Sequence, residues 1–93
     1  MSSYTITYVD WYRQFWVERF SSRATDVEGV IRDAAKTLAL HATHADIRPG
    51  TTIRKVVDPL TDDSEEFACL SPDEYRTLLR HIASEVLERK WSA

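Results

Sequence analysis

Little in this sequence invites covalent or phosphate chemistry. Among its 93 residues there is one cysteine, Cys69, so no intramolecular disulfide framework can form and a reducing, cytoplasmic setting is expected. The only glycines are Gly29 and Gly50, which excludes a glycine-rich phosphate loop. No G-x-S-x-G nucleophile elbow and no paired cysteines occur either. No apolar run approaches the ~18 residues of a membrane-spanning helix. The start, Met1-Ser2-Ser3-Tyr4, has neither a basic cluster nor an apolar stretch, so no signal peptide is expected. The expectation is a protein without catalytic activity, cofactor or metal.

What is present is an ordinary globular balance, 43% hydrophobic and 29% charged, in a chain long enough for one domain over residues 1–93. No internal repeat, linker or low-complexity tract is apparent. The formal net charge of −3 conceals an asymmetry. Residues 58–74 hold seven acids and no base, while the rest of the chain carries a net +4. Such asymmetry bears on partners and solubility rather than on fold.

Two helices announce themselves by their starts. Ser71-Pro72-Asp73-Glu74 combines an N-cap serine, a proline at the first helical position and a glutamate three residues after the cap. Tyr75, Leu78, Leu79, Ile82, Val86 and Leu87 then recur at helical spacing, and Arg89 and Lys90 suit the negative end of the dipole. The pattern predicts a helix from about Pro72 to Lys90. Thr25-Asp26-Val27-Glu28 reads as a second capping box, followed by the stripe Val27, Val30, Ile31, Ala34, Leu38 and Ala42, predicting a helix from about Asp26 to Ala45.

Strand signals are shorter. Tyr4 to Val9 alternates in the manner of a strand. Thr51 to Val57 is a β-branched run, with a short helix before Pro59 as its competitor, and Glu66 to Leu70 is a partner strand across an acidic loop. Asp10 reads as the cap of a helix through Trp11, Tyr12, Phe15, Trp16 and Phe20, although these aromatics also favour strand. The expected fold is α+β: a small antiparallel sheet packed against about three helices, in the order strand-helix-helix-strand-strand-helix. An all-α bundle is the alternative.

Seven of the ten aromatic residues fall between Tyr4 and Phe20. On a helix, residues 11–20 would spread their aromatics wider than the ~100° stripe that one core contact needs. Large aromatics filling a small core is the plain explanation. The sharper one makes Trp11, Phe15, Trp16 and Phe20 the anchors of an interface, with Arg19 as its polar contact, stacked on a ring. A homodimer is then the simplest assembly. The acidic segment, with Asp62, Asp63, Glu65 and Glu66 at its centre, is a second candidate surface, for a basic partner; a solvated loop is the plainer reading. It has no turn glycine, which argues against a calcium loop.

Other groupings are weaker. His41, His44 and Asp46 cluster near the end of the second helix, where histidines meeting the helix dipole explain them better than a metal does. Cys69, between Ala68 and Leu70, reads as a small buried hydrophobe rather than as a thiolate paired with His81. The expected function is a small non-enzymatic protein-binding regulator, an inhibitor or accessory subunit, acting through the aromatic N-terminal surface and the acidic loop. The alternative is a nucleic-acid-binding module in which Arg13, Arg19 and Arg23 hold phosphates and the interleaved aromatics stack bases. A sequence pI near 5.5 stands against that alternative.

Overall fold

A computed structural model describes residues 1–92, with side chains described for residues 1–89. The elements are β1 (Ser2–Val9), β2 (Phe15–Ser22), α1 (Val27–Leu38), a 3-10 turn (His44–Asp46), β3 (Thr52–Asp58), β4 (Asp63–Cys69) and α2 (Pro72–Ser92). The order among the described residues is therefore β-β-α-β-β-α, with two helices rather than about three and with four strands. The all-α alternative is likewise set aside. The correction lies at residues 15–22, where the segment expected to be helical is a strand paired with β1 along its whole length, from Val9 opposite Phe15 to Ser2 opposite Ser22. Its aromatic and β-branched side chains suit a pleated surface as well as they suit a helix, and pairing with β1 decides between them.

The sheet runs β2-β1-β3-β4, antiparallel throughout. Its centre is the β1–β3 pair, where Ile6 lies opposite Ile53, flanked by Thr5 opposite Arg54 and Thr7 opposite Thr52. Two hairpin-helix halves thus meet across their first strands. Their sequences agree at the junction: Thr5-Ile6-x-x-Val9 followed by Asp10, and Thr52-Ile53-x-x-Val56 followed after one extra residue by Asp58. Each aspartate accepts a hydrogen bond from the backbone N–H two residues on, Asp10 from Tyr12 and Asp58 from Leu60. Each hairpin also places one residue in the left-handed region, Arg13 at φ 65° and Asp62 at φ 58°. The fold therefore contains the repeat that the sequence alone does not display.

Strand alternation sends Tyr4, Ile6, Tyr8, Phe20 and Ile53 to one face, where they pack with Val30, Ile31, Ala34, Ala35 and Leu38 of α1 and Leu78 and Ile82 of α2. Both helices cover that face. Tyr4 is sandwiched by aromatics, stacked on Phe20 at 5.5 Å and met edge-on by Phe67 at 5.2 Å. The buried polar side chains are bonded: Ser22 donates to Asp33 of α1 at 2.6 Å, and Thr51 lies 3.5 Å from the Arg48 carbonyl.

Helix ends follow the sequence unevenly. Around Ser71 the capping box forms, with Ser71 N–H donating to Glu74 and Glu74 N–H donating to the Ser71 hydroxyl. The box expected at Thr25 does not form: Asp26 is the N-cap of α1, and its side chain makes no capping bond. The helix stops at Leu38 instead of reaching Ala45. Its last carbonyls, those of Ala39 and Lys36, accept from the Arg89 guanidinium of α2, which satisfies the negative end and ties the two helices together. The Lys90 side chain lies outside the described residues.

Gly29 owes its place to close approach. A Cβ there would meet the Ala24 Cβ at 2.5 Å and Asp26 Oδ1 at 2.8 Å. Helix propensity alone favours Gly29→Ala by ~1 kcal/mol. Here the clash outweighs that gain, and Gly29→Ala is expected to lower stability by about 1–2 kcal/mol in urea unfolding. A rise in the unfolding midpoint would contradict this packing.

Candidate functional site: the aromatic β1–β2 hairpin

Because residues 15–22 form a strand, the aromatic side chains divide between two faces instead of forming one arc. Phe15, Val17 and Arg19 stand on the bare face of the sheet; Trp16, Glu18 and Phe20 stand on the helix side. Phe20 is 6% exposed and belongs to the core, so the structure removes it from the proposed anchors. Phe15 is 76% exposed. Trp11 and Tyr12 occupy the hairpin tip, at 61% and 88% exposure.

Asp10 holds this tip together. Its Oδ1 accepts the backbone N–H groups of Tyr12 at 2.8 Å and Gln14 at 3.0 Å, and its Oδ2 accepts Trp16 Nε1–H at 2.9 Å. Trp16 also stacks on Tyr8 with ring centroids 6.4 Å apart. Trp11 Nε1–H donates to the Ala45 carbonyl at 2.8 Å, and the Arg48 guanidinium lies 5.1 Å from the centre of its ring. Arg48 N–H in turn donates to the Val9 carbonyl at 3.0 Å. The segment after α1 thus buttresses the hairpin, a role that no spacing in the sequence reveals. Both indole N–H groups are occupied and one ring face of each indole is covered, which leaves Tyr12 and Phe15 as the freest aromatic surfaces.

Arg19 does not stack on a ring. It crosses the bare face to Asp62 in the β3–β4 turn at 3.3 Å, a largely solvated pair of small energetic weight. The acidic segment proves to be a turn, an edge strand and a helix start. Glu65 lies opposite Lys55 and Glu66 opposite Arg54 in the β3–β4 register, and Asp63 lies opposite Asp58. Asp73 pairs with Arg76 at 2.6 Å, and Glu74 caps α2. Of the segment's seven acids only Asp62 and Asp73 stand in ion pairs among the described residues, while the Arg54 guanidinium turns to Ser64.

The histidine cluster disperses. His41 Nε2 lies 2.7 Å from Glu18 Oε1 instead of serving the end of α1, and Asp46 accepts from the Thr43 N–H and hydroxyl to cap the 3-10 turn. Among the described residues no group of three His, Cys, Asp or Glu side chains is placed to hold a metal ion. Cys69 is exposed, contrary to the buried reading. It stands at the end of edge strand β4 with Glu66 Oε1 3.0 Å from its sulfur. That bond pushes the thiol pKa up, which holds the sulfur in its less nucleophilic form. No helix among the described residues is long and apolar enough to cross a membrane.

Compared with known protein families, curated proteins and solved structures, the chain matches none at a significant level.

The Trp16 bond, followed by those from Gln14 and Tyr12, holds the Asp10 carboxyl below the usual carboxylate range. Folding thus favours the carboxylate. Its contribution is full above the unfolded pKa and is lost as pH falls through the lower folded value. Asp10→Asn is expected to be less stable than wild type at neutral pH, with the difference closing in acid. Urea unfolding across that range checks this, and a difference independent of pH would contradict it.

Proposed function

We propose that the chain is a small non-enzymatic protein-binding regulator, an inhibitor or accessory subunit acting in the cytoplasm, that engages its partner with the β1–β2 hairpin. The observation that carries this reading is the combination of exposure with anchoring at the tip. Tyr12 and Phe15 are open to solvent, while the backbone beneath them is fixed by Asp10, by the two indole N–H bonds and by the 39–50 segment. Large aromatics on a rigid support lose little freedom on binding, and residues of this kind dominate interface energetics.

A surface for nucleic acid is supported less well. Asp10 and Glu18 add negative charge to the hairpin, and both indoles already have a covered face. A base-stacking groove needs free ring faces and unanswered positive charge.

Affinity capture from the native host tests the proposal with tagged wild type beside Tyr12→Ser. The wild type is expected to retain a defined protein after nuclease treatment, and Tyr12→Ser to weaken that interaction about tenfold or more. Retention indifferent to Tyr12→Ser, or a salt-sensitive mobility shift with short nucleic acids and no protein partner, would overturn it.

A further inference from the structure

We infer that edge strand β2 pairs with a second copy of itself, antiparallel about a two-fold axis at Val17, joining two sheets into one of eight strands. This rests on the protein-binding reading above and names the chain itself as one partner.

The two edges of the sheet are built differently. Edge strand β4 is irregular, with register shifts against β3 at Ile53/Arg54 and at Val56/Asp58. It also presents Asp63, Glu65 and Glu66, acids that repel a like strand. These are recognised devices for keeping an edge unpaired. Edge strand β2 follows β1 for eight residues without a register shift, and its two charges, Glu18 and Arg19, are of opposite sign. It holds no proline or glycine and turns Phe15 and Val17 outward, the latter 63% exposed.

Charge then selects both occupant and register. Directly opposed residues of an antiparallel pair share a face, so a two-fold axis must pass through one residue of β2. Centring on Glu18 opposes two glutamates, and centring on Arg19 opposes two arginines. Phe20 is buried on the helix side. Centring on Trp16 leaves only residues 15–17 of each strand paired, because β2 begins at Phe15. Centring on Val17 pairs residues 15–19 with no like charges opposed. Val17 meets its own copy, Phe15 faces the partner's Arg19, and Trp16 faces the partner's Glu18. An arginine over a phenyl ring is a favourable cross-strand neighbour. The existing Arg19–Asp62 pair, with side chains 49% and 77% exposed, is weak enough to yield.

Sedimentation equilibrium at high micromolar concentration is expected to show a dimer of the full chain. Val17→Lys sets two cations face to face and should raise the dissociation constant at least about tenfold, whereas Val57→Lys, at an exposed site off the β2 edge, should not. In a Cys69→Ser background, Val17→Cys should cross-link readily on mild oxidation, because axial side chains lie about 4.5–5.5 Å apart at Cβ; Val57→Cys should not. A wild-type chain that stays monomeric, or cross-linking no faster at 17 than at 57, overturns the self-pairing. A monomer that still captures a partner through Tyr12 overturns this inference and leaves the protein-binding reading standing. A dimer whose captures ignore Tyr12→Ser does the reverse.

Discussion

The structure depends on the antiparallel contact between β1 and β3, with the fully buried Ile6 set opposite the fully buried Ile53. Two hairpins joined through their first strands have their second strands at the outside. The connection after each second strand leads into a helix, and both helices pack on the same face. That face supplies the core, from Tyr4 and Tyr8 to Leu78 and Ile82. Among the described residues the opposite face has no layer of its own, and the aromatic segment that forms β2 becomes an edge. The surfaces available for recognition follow from that one pairing.

Charge and aromatic character are used for different purposes. The acidic run lies beside the bases of β3, with Lys55 opposite Glu65 and Arg54 opposite Glu66. The asymmetry between −7 in one segment and +4 elsewhere leaves an acidic turn and β4 edge, with ion pairs only at Asp62–Arg19 and Asp73–Arg76 among the described residues. The aromatics are divided instead. Phe20 joins the core, Trp16 and Trp11 brace the hairpin, and Tyr12 and Phe15 remain outward. An expected single patch becomes a support and a much smaller contact surface.

Legibility in the sequence tracks how local each signal is. The α2 start was readable because Ser71 and Glu74 satisfy each other's backbone within four residues. The body of α1 and strand β1 were readable from periodicity. Strand β2 was not, because Asp10 before an aromatic run satisfies two nearby N–H groups in a hairpin much as it would at a helix start, and only the distant partner strand distinguishes the two. The partner of the last α1 carbonyls is Arg89, fifty residues away from Ala39, which no local signal shows. The repeat is faint in the sequence because it survives at Thr-Ile-x-x-Val and a turn aspartate, and the one-residue offset hides it. Of the candidate site, Trp11, Phe15 and Trp16 were legible as exposed aromatics. The bracing by Ala45 and Arg48 was not, since it joins residues 34 apart and more.

Residues 15–22 form an edge strand rather than a helix, and residue-resolved amide hydrogen exchange of the Val17→Lys chain, in which self-pairing is blocked, distinguishes the two. An edge strand gives alternation: amides directed at β1 exchange slowly, and the intervening ones, directed outward, exchange fast. Uniform protection through the segment, as a helix would give, would contradict it.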